Sequence, residues 1–332
     1  MSIRIVKAGL SDAFFDEGRY GHQHLGINPG GAMDTLSLHI VNALTLNKAN
    51  EAVLEMHFPA ATISFQKDAL IALSGADFTA TINDQIIPLN KPIFVKQHAL
   101  LQFKKPKKGA RVYLGLHGGN KLSSWLNSCS TNTLVHAGGF NGQRLKTADN
   151  IHFNIDVPNP IPQSVDAFFI LPFSANTNGL YQTGPLRVVA GRHFKLLTND
   201  SQQQLLQQQF TITTDSNRMG YKLQSQPLLL KHPQNIISSA VTKGTIQLLP
   251  NGQLIILMAD HQTTGGYPIL GHIILADFCS LAQGNISDTI SFTLVKQSQA
   301  EEAFLSQQRH LLQLQNACNL RLNDFINANN RP

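Results

Sequence analysis

Six short apolar runs follow one another between residues 69 and 116: Ala69–Leu73, Phe78–Ile82, Ile86–Leu89, Ile93–Val95, Leu100–Phe103 and Val112–Leu116. Runs this short read as strands, and turn residues such as Asn83-Asp84-Gln85 separate them. The spacing predicts antiparallel sheets folded into sandwiches or barrels, with Asn83-Asp84-Gln85 as a hairpin turn. It argues against alternating strand–helix units. The fold class expected is therefore mainly β: two β-rich domains with few helices. A chain of 332 residues exceeds the ~250–300 that one core usually serves, so two cores are expected. Hydrophobic residues make up 42% and charged residues 14%, a balance that supplies enough apolar surface to fold and argues against disorder.

Three segments carry helical spacing. Asp34 is placed to cap a helix with Leu36, Ile40, Val41 and Leu44 on one face. A second helix is expected near Ala276–Gln283, and a third from about Glu301. In the third, Phe304, Leu311, Cys318 and Phe325 recur every seventh residue, with Leu314 and Leu322 between them. That seam must cover something, either its own domain or a partner. Gln202–Gln204 and Gln207–Gln209 read as a polar helix or loop. The stretch from Val157 to Gly184 carries Pro158, Pro160, Pro162 and Pro172, with Pro185 just beyond. Prolines remove ladder donors and resist helices, so a boundary is expected there. The organisation expected is an N-terminal β-rich domain over 1–165, a linker over 166–184, a β-barrel domain over 185–298 and a helical tail over 299–332.

The formal charge of +6 is moderate, and its only dense run is Lys104-Lys105-Pro106-Lys107-Lys108. Pro and Gly punctuate that run between strand-like segments, which predicts a solvated hairpin turn rather than a nucleic-acid stripe. Three widely spaced cysteines, Cys129, Cys279 and Cys318, indicate neither a disulfide framework nor a zinc cluster and fit a reducing cytoplasm. Ile3, Arg4 and Ile5 alternate at the N-terminus, unlike a secretory signal. No segment approaches the ~18 apolar residues that span a bilayer, so no membrane association is expected.

Candidate chemistry lies in two glycine-bearing loops. The apolar run Leu254–Ala259 leads directly into Asp260-His261-Gln262-Thr263-Thr264-Gly265-Gly266-Tyr267-Pro268, where hydroxyls and backbone can approach a ligand closely. Gly30-Gly31-Ala32-Met33-Asp34 opens a helix, where free N–H groups and the dipole favour an anion. Arg19 offers a planar fork for the same anion, or pairs with a neighbouring carboxylate. Ser216-Asn217-Arg218-Met219-Gly220 suits either oxyanion recognition or a turn. Asp260 and Asp277 are candidate bases or cation ligands, although Asp277, just before Phe278, also reads as a cap or ion-pair partner. On a strand His22 and His24 would point the same way, but no third ligand is placed nearby, so no metal site is expected. A phosphate-binding Gly-x-x-x-x-Gly-Lys-Ser/Thr loop, a Rossmann fingerprint and a Gly-x-Ser-x-Gly elbow are all missing.

Six blocks, in order, carry a resemblance: Asp16-Glu17-Gly18-Arg19, Pro29-Gly30-Gly31-Ala32-Met33-Asp34, Ser74-Gly75-Ala76-Asp77, Gly138-Gly139-Phe140, Ser216-Asn217-Arg218-Met219-Gly220 and Gln262-Thr263-Thr264-Gly265-Gly266-Tyr267-Pro268. The chain resembles the biotin-dependent carboxyltransferase/allophanate hydrolase subunit 2 family, which includes the C-type component of the bacterial ATP-dependent 5-oxoprolinase and the KipA proteins. The resemblance implies a cyclophilin-like β-barrel in the C-terminal half. It also implies a direct partner of the KipI-like B type, an A-type component for the full reaction, and ATP-dependent opening of 5-oxoproline to L-glutamate. ATP, with Mg, is expected to bind within the assembled complex, with no tightly bound cofactor and no nucleic acid. The residues expected to serve catalysis are Arg218, Asp260 and Gln262. Those expected to bind substrate or nucleotide are Arg19, Gly30, Gly31, Met33, Asp34, Ser216, Asn217, Thr263, Thr264, Gly265, Gly266 and Tyr267. Two other functions fit the resemblance: carboxyl transfer in a biotin-dependent urea-type carboxylase, and a non-catalytic KipA-like protein that binds and antagonises a KipI-like kinase inhibitor. One departure stands out, because the family usually has Gln before the Asp of the first block and this chain has Phe15.

Overall fold

The computed structural model describes residues 2–154, 167–233 and 235–329. Pro158, Pro160 and Pro162 of the expected boundary stretch lie outside the described residues. The chain divides into two compact units, one of Met1–Gly18, Asp34–Thr177 and His310–Pro332, the other of Arg19–Met33 and Asn178–Arg309. Both are built mainly of antiparallel strands, as the spacing of the apolar runs predicts.

In the first unit, one six-stranded sheet runs in the order Asn150–His152, Ser2–Lys7, Thr62–Phe65, Leu100–Phe103, Ala80–Ile82, Gln85–Ile86. The other runs Phe168–Ile170, Ile93–Val95, Ala69–Asp77, Lys108–Leu116, Val53–Met56, Ala13–Phe15. Ile3, Ile5, Ile63 and Leu101 from the first sheet share a core with Phe14, Leu54, Ile71, Leu73 and Leu114 from the second. Because side chains alternate along a strand, Leu70 and Phe94 face away from that core, where Leu171, Leu322 and Ile326 cover them. The helix Thr35–Leu44 (α1) crosses the strand Lys108–Leu116 at Gly115, where a Cβ would stand 2.9 Å from that of Val41. Only a residue without a side chain admits so close an approach.

Two expectations are resolved differently here. Asn83 and Asp84 both adopt the left-handed backbone of a tight hairpin turn, and Ala80–Ile82 pairs with Gln85–Ile86 across it. The lysine run, by contrast, is not a hairpin turn. Leu100–Phe103 pairs with Thr62–Phe65 and Ala80–Ile82, whereas Lys108–Leu116 pairs with Ala69–Asp77 and Val53–Met56 in the other sheet. The run therefore carries the chain between sheets, held by N–H bonds from Lys104 to the Phe78 carbonyl and from Lys107 to the Asp77 carbonyl.

The second unit holds an eight-stranded sheet in the order Thr289–Ile290, Phe210–Ile212, Gly220–Gln224, Leu254–Leu257, Thr245–Leu248, Ile269–Ile273, Leu186–Ala190, Phe292–Leu294. Its two edge strands are consecutive in the chain and joined through Ser291, so the sheet curls into a nearly closed barrel. Closure removes the exposed edges that an open sheet must otherwise protect. Val188, Phe210, Leu223, Ile246, Ile256, Leu270 and Phe292 fill one core together with Met33, which anchors the segment Arg19–Met33 to this unit. The glutamine-rich stretch forms a helix, Asn199–Gln207 (α2), whose Ser201 N–H is accepted by the Thr198 hydroxyl at 3.2 Å. The helix Leu275–Ala282 (α3) buries Asp277 against Arg187, with bonds of 2.5 Å to Nη2 and 2.8 Å to the backbone N–H. Asp277 is thus an ion-pair partner and not a base.

The last helix, Gln297–Asn329 (α4), starts slightly before the expected position. Its seam residues Leu311, Leu314, Cys318 and Leu322 are buried, and the Phe325 ring lies 6.1 Å from Phe94 and 5.9 Å from Phe169. The seven-residue repeat therefore packs on its own chain rather than presenting a docking face. No helix among the described residues is long and apolar enough to cross a membrane.

Candidate functional site

Within the second unit, three segments distant in sequence meet at Asp260. The strand Leu254–Leu257 delivers Met258, Ala259 and then Asp260, whose N–H bonds to the Arg218 carbonyl at 2.8 Å. The Arg218 guanidinium returns over that backbone. Its Nε donates to Asp260 Oδ2 at 2.8 Å, and its Nη2 donates to Asp260 Oδ1 at 3.2 Å and to the Gly31 carbonyl at 2.6 Å. One planar fork thus ties the Gly30-Gly31 segment to the end of the strand, a geometry that Lys with its single ammonium cannot reproduce. Gly30 and Gly31 both adopt left-handed backbone. A Cβ at Gly30 would lie 3.1 Å from Arg19 Nη1 and 3.7 Å from Asp260 Oδ1, so the two glycines let the chain pass close to both charges. Arg19 itself is buried at 1% exposure.

The other expected residues fall into distinct settings. Ser216 and Asn217 shape the turn that presents Arg218: the Lys222 N–H is accepted by the Ser216 hydroxyl, and the Met219 N–H by the Asn217 amide oxygen. Short polar side chains commonly hold loops in this way. Met33 is a core residue. In the first unit, Asp34 accepts from both the Ser37 N–H and its hydroxyl, while its own N–H bonds to Tyr113 Oη at 2.8 Å. The expected anion cradle at the start of α1 is therefore filled by the chain's own carboxylate, which serves as the N-cap. Behind it Tyr113 donates to Glu55 at 2.7 Å, and burial beside Glu55 and Asp34 holds the Tyr113 hydroxyl well above its ordinary pKa.

Beyond Asp260 the loop is partly open. Gln262, Thr264 and Tyr267 are exposed, and Thr263, Gly265 and Gly266 are half-buried. Thr264–Gly265 pairs with Ser239–Ala240 as a two-stranded ribbon. Under this ribbon lies Gln247, at 0% exposure, whose Nε2 and Oε1 have no hydrogen-bond partner among the described residues. A Cβ at Gly265 would stand 2.6 Å from Gln247 Nε2. A buried amide left unpaired costs on the order of 1–3 kcal/mol, so its retention calls for an explanation. Nothing in the run Thr245–Leu248 singles Gln247 out in the sequence, where it reads as one polar position in a strand.

Two imidazoles flank these elements. His261 is buried, and that burial, aided by Lys243, pulls its pKa below the ordinary value against the opposing Gln262 carbonyl and Asp260. His272, bonded to the Thr245 hydroxyl at 3.3 Å, is lowered by burial first and by Arg192 second. Both therefore favour the neutral form near pH 7. Among the described residues no group of three or more His, Cys, Asp or Glu side chains is placed to hold a metal ion.

Residues 25–294 match the family model of the carboxyltransferase domain, subdomains A and B. The chain belongs to this carboxyltransferase-domain family. Among its relatives is the C subunit of 5-oxoprolinase from Escherichia coli (strain K12), 33% identical over 94% of this chain and 97% of that protein. The corresponding 5-oxoprolinase C subunit of Haemophilus influenzae is 32% identical over 91% of this chain and 96% of its own length. Among solved structures, the urea amidolyase of K. lactis superposes with a TM-score of 0.85 at 25% identity, covering 94% of this chain but 20% of that much longer one. In this member of the carboxyltransferase-domain family, Arg218, Asp260 and the Gly30-Gly31 segment all lie inside the matched region.

Proposed function

We propose that the chain is the C-type component of an ATP-dependent 5-oxoprolinase, acting in the cytoplasm with B-type and A-type partners to convert 5-oxoproline to L-glutamate. The observation that carries this reading is reciprocal coverage. The chain spans nearly the whole of the two bacterial 5-oxoprolinase C subunits, whereas it spans a fifth of the urea amidolyase.

The chemistry of the site is compatible with it. A lactam is a poor electrophile, and transferring a phosphoryl group from ATP to its oxygen, with release of ADP, makes the ring carbon open to water. Addition of water then breaks the C–N bond, the nitrogen takes up a proton, and a second water hydrolyses the acyl phosphate to glutamate and phosphate. In this scheme Asp260 accepts the proton of the attacking water. Arg218 holds that carboxylate in one orientation, which is worth most when the donor fork is already organised. Gln262 and the Thr263–Tyr267 loop contact the substrate, and Arg19 supplies positive charge beside Gly30 for a phosphate. The Mg that accompanies ATP would be carried chiefly by the nucleotide phosphates.

Carboxyl transfer to a urea-like acceptor is the second reading, favoured by the family description and the urea amidolyase likeness. It requires a biotin carrier and a biotin carboxylase. The deciding experiment is an Arg218→Ala variant assembled with its A-type and B-type partners. Glutamate release from 5-oxoproline and ATP is expected to fall by at least ~100-fold, as for loss of a group orienting a catalytic residue, while the complex stays assembled. Normal turnover would remove the Arg218–Asp260 pair from the reaction.

A further inference from the structure

Gln247 occupies a setting that the proposed reaction does not yet use. Its side chain is fully buried, both amide atoms lack partners among the described residues, and Gly265 of the candidate loop lies directly over it. Thr245, two residues earlier on the same strand, shares its face and bonds His272 across the register. At the rim of that face Arg192, exposed to solvent, bonds the Ser239 hydroxyl of the covering ribbon and acts electrostatically on His272. The ribbon itself is slight. Ser239 and Ala240 pair with Gly265 and Thr264, and the Val241 N–H adds one bond to the Thr263 carbonyl. Two-residue strands held this way open at low cost compared with the barrel beneath them.

We propose that Gln247 is the specificity residue for the substrate, pairing its carboxamide with the cis-amide edge of a small cyclic amide once the ribbon lifts, while Arg192 takes the substrate's carboxylate. A primary amide presents one N–H donor and one carbonyl acceptor side by side. A lactam constrained in a ring presents the complementary pair on one edge, so the two close a ring of two hydrogen bonds. Urea offers the same edge, which gives one recognition element for both kinds of relative. Glutamate does not: once the ring opens, the nitrogen becomes an ammonium remote from the new carboxylate, and the match is lost on product formation. Retention of an unpaired buried amide is thus accounted for as a site completed by ligand.

This inference rests on the reading that the substrate is 5-oxoproline, and the test separates the two. Binding to the full chain is followed by ligand-observed NMR with two probes, 5-oxoproline and 2-pyrrolidinone, which has the lactam and lacks the carboxylate. Gln247→Met is expected to weaken both by about 10- to 100-fold, the cost of one or two buried hydrogen bonds. Arg192→Met should weaken 5-oxoproline alone. In the assembled complex, Gln247→Met should raise KM for 5-oxoproline over the same range with a smaller change in kcat. The Gln247→Met chain is expected to melt no lower than the parent, because an unpaired amide gives way to an apolar group of similar size. Should it fail to fold, Gln247→Asn withdraws the same amide by one methylene and is read in the same way. Unchanged binding of both probes in the variant, or no binding of either by the parent chain, overturns the inference. Gln247-dependent binding of 2-pyrrolidinone in a complex that never turns over 5-oxoproline would leave the amide site standing and defeat the oxoprolinase reading.

Discussion

The Arg218 fork is the clearest place to test the arrangement energetically. Replacing Arg218 with Ala removes hydrogen bonds of 2.6, 2.8 and 3.2 Å, and strands both the Asp260 carboxylate and the Gly31 carbonyl. Breaking a fully buried ion pair costs about 3–5 kcal/mol, and an exposed pair is worth about 0–1. Here the side chains are 16% and 29% exposed, so water can reach Asp260 and the expected loss is ~2 kcal/mol. For a unit of this size that corresponds to a fall in melting temperature of roughly 4–8 °C. Calorimetry on the single variants Arg218→Ala and Asp260→Asn and on the double variant closes the cycle. A coupling energy of about 1–2 kcal/mol is expected for partners that share hydrogen bonds. Additivity within ~0.5 kcal/mol would mean the fork does not hold the two loops together, and the positioning role given to Arg218 would be wrong.

Two further outcomes follow from buried residues in the first unit. Burial lifts the Asp12 carboxyl to about 7 from 3.8, against the opposing N–H groups of Ala61 and His57. A folded pKa above the unfolded one means a contribution fully present below about pH 4 and lost as pH rises to about 7. Asp12→Asn should therefore flatten the pH dependence of the unfolding free energy, read by urea denaturation across that window, and an unchanged pH profile would show that Asp12 titrates normally. Phe15 is buried in the strand Ala13–Phe15, so Phe15→Gln should lower stability by roughly 2–3 kcal/mol in urea denaturation. An undiminished midpoint would show that a partner for the amide is already built around position 15.

Much of the fold could be read from local pattern because the physics that sets it is local. Ile93–Val95 and Leu100–Phe103 appear with the bounds that their apolar runs imply, and Asn83-Asp84 turns as its left-handed tolerance suggests. Asp34 caps α1, but the sequence could not show that its own N–H is taken by Tyr113 Oη, which arrives from a strand nearly 80 residues away. The lysine run misled because turn chemistry says where a chain bends, not which sheet it enters next. The site is split in the same way. Gly30, Arg218 and Asp260 stood out by residue type, yet their meeting depends on Met33 burying itself in the core of the second unit. Gln247 carried no local signal, since its significance lies in the partners it lacks.

Whether this chain completes an enzyme that opens a cyclic amide is decided by reconstitution with and without it. Purified A-type and B-type partners are supplied with ATP and 5-oxoproline, and glutamate and ADP are measured. Glutamate is expected to form in step with ADP only when this chain is present, with negligible release when it is omitted. Full glutamate release by the two partners alone, or stable assembly with the B-type partner and no turnover under any of these conditions, would contradict that role.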